Sequence, residues 1–354
     1  MKTIEVLESG HVDRRDSAFP TLVQLEPGGD IICGYNVGGG PHARGGTECS
    51  LSTDGGRSWR HQSVVLGPST DLLTTNHLRL SGTSDGTILA YGQRGHSQET
   101  AAGSKQVACD AVWCRSADGG ASWSPAEIID MQMPGPYEIS NPIVITDDGR
   151  WLAPAASYHA GRYGERVVLH ESEDQGQTWP KMQTIFEHPQ TKHGYLEQKV
   201  ITCGSGKLLA IAWLQDFEND TDLKNVYSFS ADGGCTWNGP HTTGIQGQTM
   251  TPIWLGGDRF LVLYNRRFGE QSVQMCLVRA VDSSWTLEFE GTLWNARTML
   301  ELNSEVSSQE EIRRIQFGYP MALRLDNETV LAVHWCVEEG VCGIRWTRLR
   351  VVLE

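Results

Sequence analysis

No run of about 18 apolar residues occurs anywhere in the 354-residue chain, which excludes a membrane-spanning helix. No cluster of Lys and Arg is present either, and the net charge of −14 argues against nucleic acid as the main partner, because phosphate binding needs a basic face. The nine cysteines stand at 33, 49, 109, 114, 203, 235, 276, 336 and 342, an odd count without CxxC pairs. That spacing excludes a disulfide framework and a structural zinc site, so buried, reduced thiols are expected, with no metal and no cofactor. The N-terminal "MKTIEVLESGHVDRR" lacks the apolar core of a signal peptide, so the chain reads as soluble, unexported and cytoplasmic. Long Leu/Ala/Glu/Lys-rich segments are missing too, which leaves little material for helices.

What is abundant is turn and strand chemistry: 39 Gly, 14 Pro and 12 Trp. "STDGGRSW" at 52 returns as "SADGGASW" at 116, "SEDQGQTW" at 172 and "SADGGCTW" at 230, with a degenerate "VDSSW" at 281. Asp accepts local backbone N–H groups, Gly takes positive φ, and Trp offers apolar area for a seam with the next repeat. Four copies cannot all be one active site, so the motif is read as fold-building. Between the copies lie six apolar hairpins, indexed on Ile32, Leu89, Leu152, Leu209, Leu261 and Leu331. Their spacing of about 60 residues fills the chain from end to end. Each repeat supplies four strands, which predicts an all-β, six-bladed propeller as one domain over residues 1–354. The last repeat is one strand short, and the N-terminal "TIEVLESGHV" is expected to close the ring there.

The S-x-D-x-G-x-[ST]-W motif is the Asp box, and six blades carrying several of them resemble the sialidase (neuraminidase) superfamily along the whole chain. The resemblance implies an exo-acting glycoside hydrolase that removes a terminal, acidic sugar from a glycan or oligosaccharide. It also implies a Glu at the start of the fourth inner strand and a Tyr at the start of the sixth, which match Glu197 and Tyr319, the Glu serving as base to a Tyr nucleophile. The family's general acid falls in the loop "NVGGGPHARGGTE", where His42 is nearest, with Arg44 and Glu48 beyond. The family's three carboxylate-binding arginines fall at Ala18, near Trp213 and around Gln271. None of these is an arginine, although Arg14, Arg15, Arg266 and Arg267 stand close by.

Topology alone places the starts of the inner strands and the loops after the second strands opposite the Asp-box turns. That mouth collects Arg14, Arg15 and Asp16, His42 and Arg44, His77 and Arg79, Arg94 and His96, Tyr137 and Glu138, His159, Arg162 and Tyr163, His193, Tyr195 and Glu197, Arg266 and Arg267, and Tyr319. Convergent polar groups in a concavity are the default ligand site. Should a pair of carboxylates act instead of Tyr319, Glu197 with Asp16, Glu48 or Glu138 is the expected pair. A polysaccharide lyase using His and Tyr, and a non-catalytic sugar-binding propeller, are the alternatives. The acidic "DFENDTD" at 216–222 reads as a solvated charge run.

Overall fold

The computed structural model describes residues 2–40, 44–69, 74–100, 103–159, 162–300 and 315–353. Its strands form six antiparallel sheets, five of them each a consecutive portion of the chain, and the described residues contain no helix. The six sheets are the blades of the expected propeller. Their innermost strands are Ser17–Gln24, Thr74–Gly82, the two short pieces Tyr137–Glu138 and Val144–Ile145, His193–Thr202, Gln248–Gly256 and Phe317–Arg324. Sheet six is completed by the N-terminal strand Thr3–Asp13, which pairs antiparallel with Val341–Val352, so the two ends of the chain close the ring.

The six index residues are all buried on second strands and share one register. In five blades the residue two positions beyond the index pairs with Thr21, Arg79, Lys199, Thr251 or Met321 of the inner strand. These inner-strand positions are therefore equivalent around the axis.

The Asp boxes lie where a turn is needed between third and fourth strands, on the face opposite the mouth. In the first, Asp54 Oδ1 accepts from the Ser52 hydroxyl at 2.8 Å and the Ser58 amide at 2.9 Å, and Ser52 Oγ accepts from the Gly56 amide at 2.9 Å. Trp59 Nε1 donates to the Gly56 carbonyl at 3.0 Å. The copies at 116, 172 and 230 repeat the Ser–Asp and Ser–Gly bonds. The seam they form is with the preceding blade, not the next one. A Cβ on Gly56 would meet Leu331 of blade six at 2.5 Å, and one on Gly176 would meet Trp113 of blade two at 2.8 Å. Trp123 of blade two likewise donates to Ser63 of blade one. All nine cysteines are free, and all but Cys109 and Cys235 are buried, in line with core thiols.

Candidate functional site

Four of the six inner strands carry a bulge at the same level. Pairing slips between Ala18 and Thr21, Leu196 and Lys199, Gln248 and Thr251, and Gly318 and Met321. Within each slip one non-glycine residue sits in the left-handed region: Phe19 (φ 57), Glu197 (φ 46), Thr249 (φ 49) and Tyr319 (φ 50). Such backbone costs about 1–3 kcal/mol per residue and persists only where the surroundings over-determine it. Here it turns one extra side chain from each of these strands toward the axis.

With neighbours from the other two blades, these side chains form one cluster drawn from all six. Tyr319 of blade six reaches across to blade three, where its hydroxyl donates to the Ser140 carbonyl, and it accepts from Arg79 Nε of blade two at 2.7 Å. Arg79 lies 4.5 Å from the Tyr319 ring centre and Lys199 Nζ of blade four 3.6 Å from it. Lys199 also donates to the Ser140 carbonyl. Phe19 of blade one packs edge-on against both Tyr319 (5.7 Å) and His77 (5.3 Å). Glu197 accepts from the Thr249 hydroxyl of blade five, and its own amide donates to Glu138 Oε1 at 2.7 Å. Glu138 takes a second bond from the Ser140 hydroxyl at 2.6 Å.

The electrostatics of this cluster follow from its burial. Glu138 is 8% exposed, and desolvation followed by the neighbouring Glu197 charge pushes its carboxyl up to about 7. Burial, followed by the charge of Arg79, pushes both Lys199 and His77 well below their ordinary values. The Tyr319 phenol is pushed up by burial, against the pull of Arg79. Two atoms at the axis are buried without a hydrogen-bond partner among the described residues, Glu138 Oε2 and Arg79 Nη1.

Of the residues expected at the mouth, Glu197, Tyr319, His77, Arg79 and Glu138 are brought together. The Glu197–Tyr319 pair is not joined by a hydrogen bond, since Thr249 holds the carboxylate, and Arg79 and Ser140 hold the phenol. The other predicted residues fall outside this cluster. Arg14 pairs with Glu339 at 3.1 Å, and Arg15 with Asp13 at 2.7 Å and Glu48 at 2.8 Å. Asp16 accepts the Gly39 amide at 2.8 Å and so shapes the loop after blade one's second strand. Trp213 donates to Asp222 at 2.8 Å, Arg266 to the Glu270 carbonyl, and Arg267 bridges Gln248 to the Phe317 carbonyl. Arg44 is exposed, and His159 ends its strand opposite Arg162. His42 lies outside the described residues. The acidic segment is tied within itself and to blade five, with Asp216 bonded to Asn219 and Asp222 to Gln248. Among the described residues no group of His, Cys, Asp and Glu has a metal-binding arrangement.

Sequence reasoning missed Phe19, Ser140, Lys199 and Thr249. Only part of a signal was present: Glu197, Thr249 and Tyr319 each stand 12 residues before Leu209, Leu261 and Leu331, but Phe19 stands 13 before Ile32, so the column is completed only by the strand pairing.

The fold is shared with known structures. A protein of unknown function from Dyadobacter fermentans superposes with a TM-score of 0.76 at 19% identity, covering 99% of each chain. A Penicillium chrysogenum α-L-arabinanase, solved with arabinobiose, gives 0.65 at 14% identity over 98% of each chain. A Hadza microbial sialidase gives 0.63 at 16% identity, with 95% of this chain covering 66% of that one. No curated protein matches the chain in sequence. The BNR repeat-like domain model matches residues 48–331, which takes in every full Asp box and the inner strands of blades two to six. The chain therefore belongs to the BNR repeat-like domain family, on a six-bladed propeller fold.

Proposed function

We propose that the protein is an exo-acting glycoside hydrolase whose chemistry is carried by the Glu138–Glu197 pair at the propeller axis. The observation behind this reading is the contrast between the two carboxyls: Glu138 is buried, pushed up to about 7 and has one free oxygen, while Glu197 is partly open to the mouth. A carboxyl that keeps its proton near neutral pH, set beside a second carboxyl, is the arrangement glycosidic cleavage needs. Glu138 would give its proton from Oε2 to the departing oxygen. Glu197 would act on the sugar carbon directly or through water, and the Thr249 hydroxyl would orient it.

Tyr319 has a supporting part in this reading. Its hydroxyl is committed to Arg79 and to the Ser140 carbonyl, so it forms the floor of the site and fixes Arg79. Arg79 Nη1 is then the axial cation that can receive an anionic or hydroxyl group of the sugar. The glycosidases among the structural neighbours support a sugar substrate at the level of the fold.

The test is a screen of aryl glycosides covering sialic acid, uronic acids, arabinose and rhamnose, with Glu138→Gln and Glu197→Gln alongside. Turnover of one glycoside, lowered at least about 100-fold in both variants, is expected. Turnover that survives in both variants would overturn the assignment. Sugar binding without turnover in the wild type would make the protein a sugar-binding propeller.

A further inference from the structure

Beside the carboxylates stands an aromatic pair with no part in the chemistry above. Tyr158 is the last residue but one of the strand Trp151–His159 and faces Tyr163 of the next strand directly across the hairpin. Their rings stack at 4.2 Å between centres and 25° between planes. The pair is mouthward of the acid: Glu138 pairs with Ala156 and Tyr137 with Ser157, so Tyr158 is the next residue along, and its amide is held by the Pro136 carbonyl at 3.0 Å. Burial, followed by the charges of Glu138, Tyr163 and Glu197, pushes the Tyr158 phenol up. Yet 38% of Tyr158 is exposed, and neither phenol has a hydrogen-bond partner among the described residues. Tyr158 is thus a part-exposed aromatic with an unengaged hydroxyl, one step mouthward of Glu138.

A large aromatic held in this way by backbone pairing and a second ring is pre-organised, so little conformational entropy is lost when a ligand stacks on it. A pyranose or furanose ring has the matching chemistry, with apolar C–H groups on its face and hydroxyls around its edge. On this basis, and resting on the glycosidase reading, we propose that Tyr158 and Tyr163 form a stacking subsite for the sugar unit next to the one cleaved. The ligand of this protein is then an oligosaccharide of at least two units.

The experiment uses full-length Glu197→Gln protein, in which turnover is suppressed, titrated calorimetrically with arabinobiose, sialyllactose and mixed neutral disaccharides, and with the corresponding monosaccharides. Adding Tyr158→Ala or Tyr163→Ala is expected to weaken the oligosaccharide that binds by about tenfold while leaving its terminal monosaccharide unchanged. Tyr158→Phe, which keeps the ring, is expected to stay close to the parent and so controls for folding. Equal oligosaccharide affinity in the parent and in both Ala variants would overturn the subsite and leave the glycosidase reading standing. Binding of no sugar by the parent would overturn that reading, and the subsite with it.

Discussion

Glu138 couples stability and activity to pH through one group. Its folded value of about 7 lies above its ordinary 4.5, so the stability tied to its neutral form is fully present below 4.5 and is lost as pH rises through 7. Glu138→Gln is therefore expected to flatten the fall in thermal midpoint between pH 5 and about 8, measured by calorimetry. In the wild type the same titration should set the basic limb of kcat/KM near pH 7. Tyr319 makes a different prediction. Removing its hydroxyl leaves Arg79 Nε without an acceptor in a site where Arg79 is 1% exposed. Tyr319→Phe should cost about 1–3 kcal/mol in denaturant unfolding, and activity should fall less than in either glutamate variant. A loss of turnover equal to that of Glu197→Gln would return Tyr319 to the role of nucleophile.

Among the repeated elements, the Asp box and the inner-strand bulge divide the work between the two faces of the propeller. In the box, the Ser122 hydroxyl and amide hold the Asp118 carboxylate down to about 2. A depressed value contributes stability above the unfolded value near 3.8 that is lost as pH falls toward 2, so Asp118→Asn should weaken the dependence of acid unfolding on pH in that window. The second box glycine is constrained by its neighbour as well as by its own turn. Gly56 has φ 87 and would drive a Cβ into Leu331, so Gly56→Ala should destabilise the seam between blades one and six by more than about 1 kcal/mol. The box was legible because it recurs, and recurrence marked it as structural. The bulges were not legible, because a local slip of pairing has no pattern of its own in Phe19-Pro20, Glu197-Gln198, Thr249-Met250 and Tyr319-Pro320. Residues as unlike as Phe, Glu, Thr and Tyr occupy it.

The closed ring rests on a strand supplied from the far end of the chain. Thr3–Asp13 covers the edge of Val341–Val352 and adds the ion pair Glu8–Arg348 at 3.0 Å and a hydrogen bond between His11 and Glu338 at 2.7 Å. Deleting residues 2–13 would uncover the backbone of that edge strand, a template for intermolecular pairing. Size-exclusion chromatography of the truncated protein is expected to show oligomers or aggregates, and a monodisperse, fully stable product would count against closure as a source of stability.

The amino-acid sequence by itself determined the number of blades, the position of each Asp box and the strand that closes the ring. All three follow from periodic, local signals: hydrophobic alternation, turn chemistry and a count of strands per repeat. It also brought Glu197, Tyr319, Glu138, His77 and Arg79 forward as residues of one mouth. Only the tertiary structure decided which side chains meet there and with which partners. Arg14, Arg15, Arg266 and Arg267 lie near the mouth in sequence but are held by acids, a side-chain amide and carbonyls. Arg79, Lys199 and Tyr319 meet across the axis from blades two, four and six. Such contacts depend on the bulge that turns each inner strand and on the ring that places opposite blades face to face, and both arise from pairing between segments far apart in the chain.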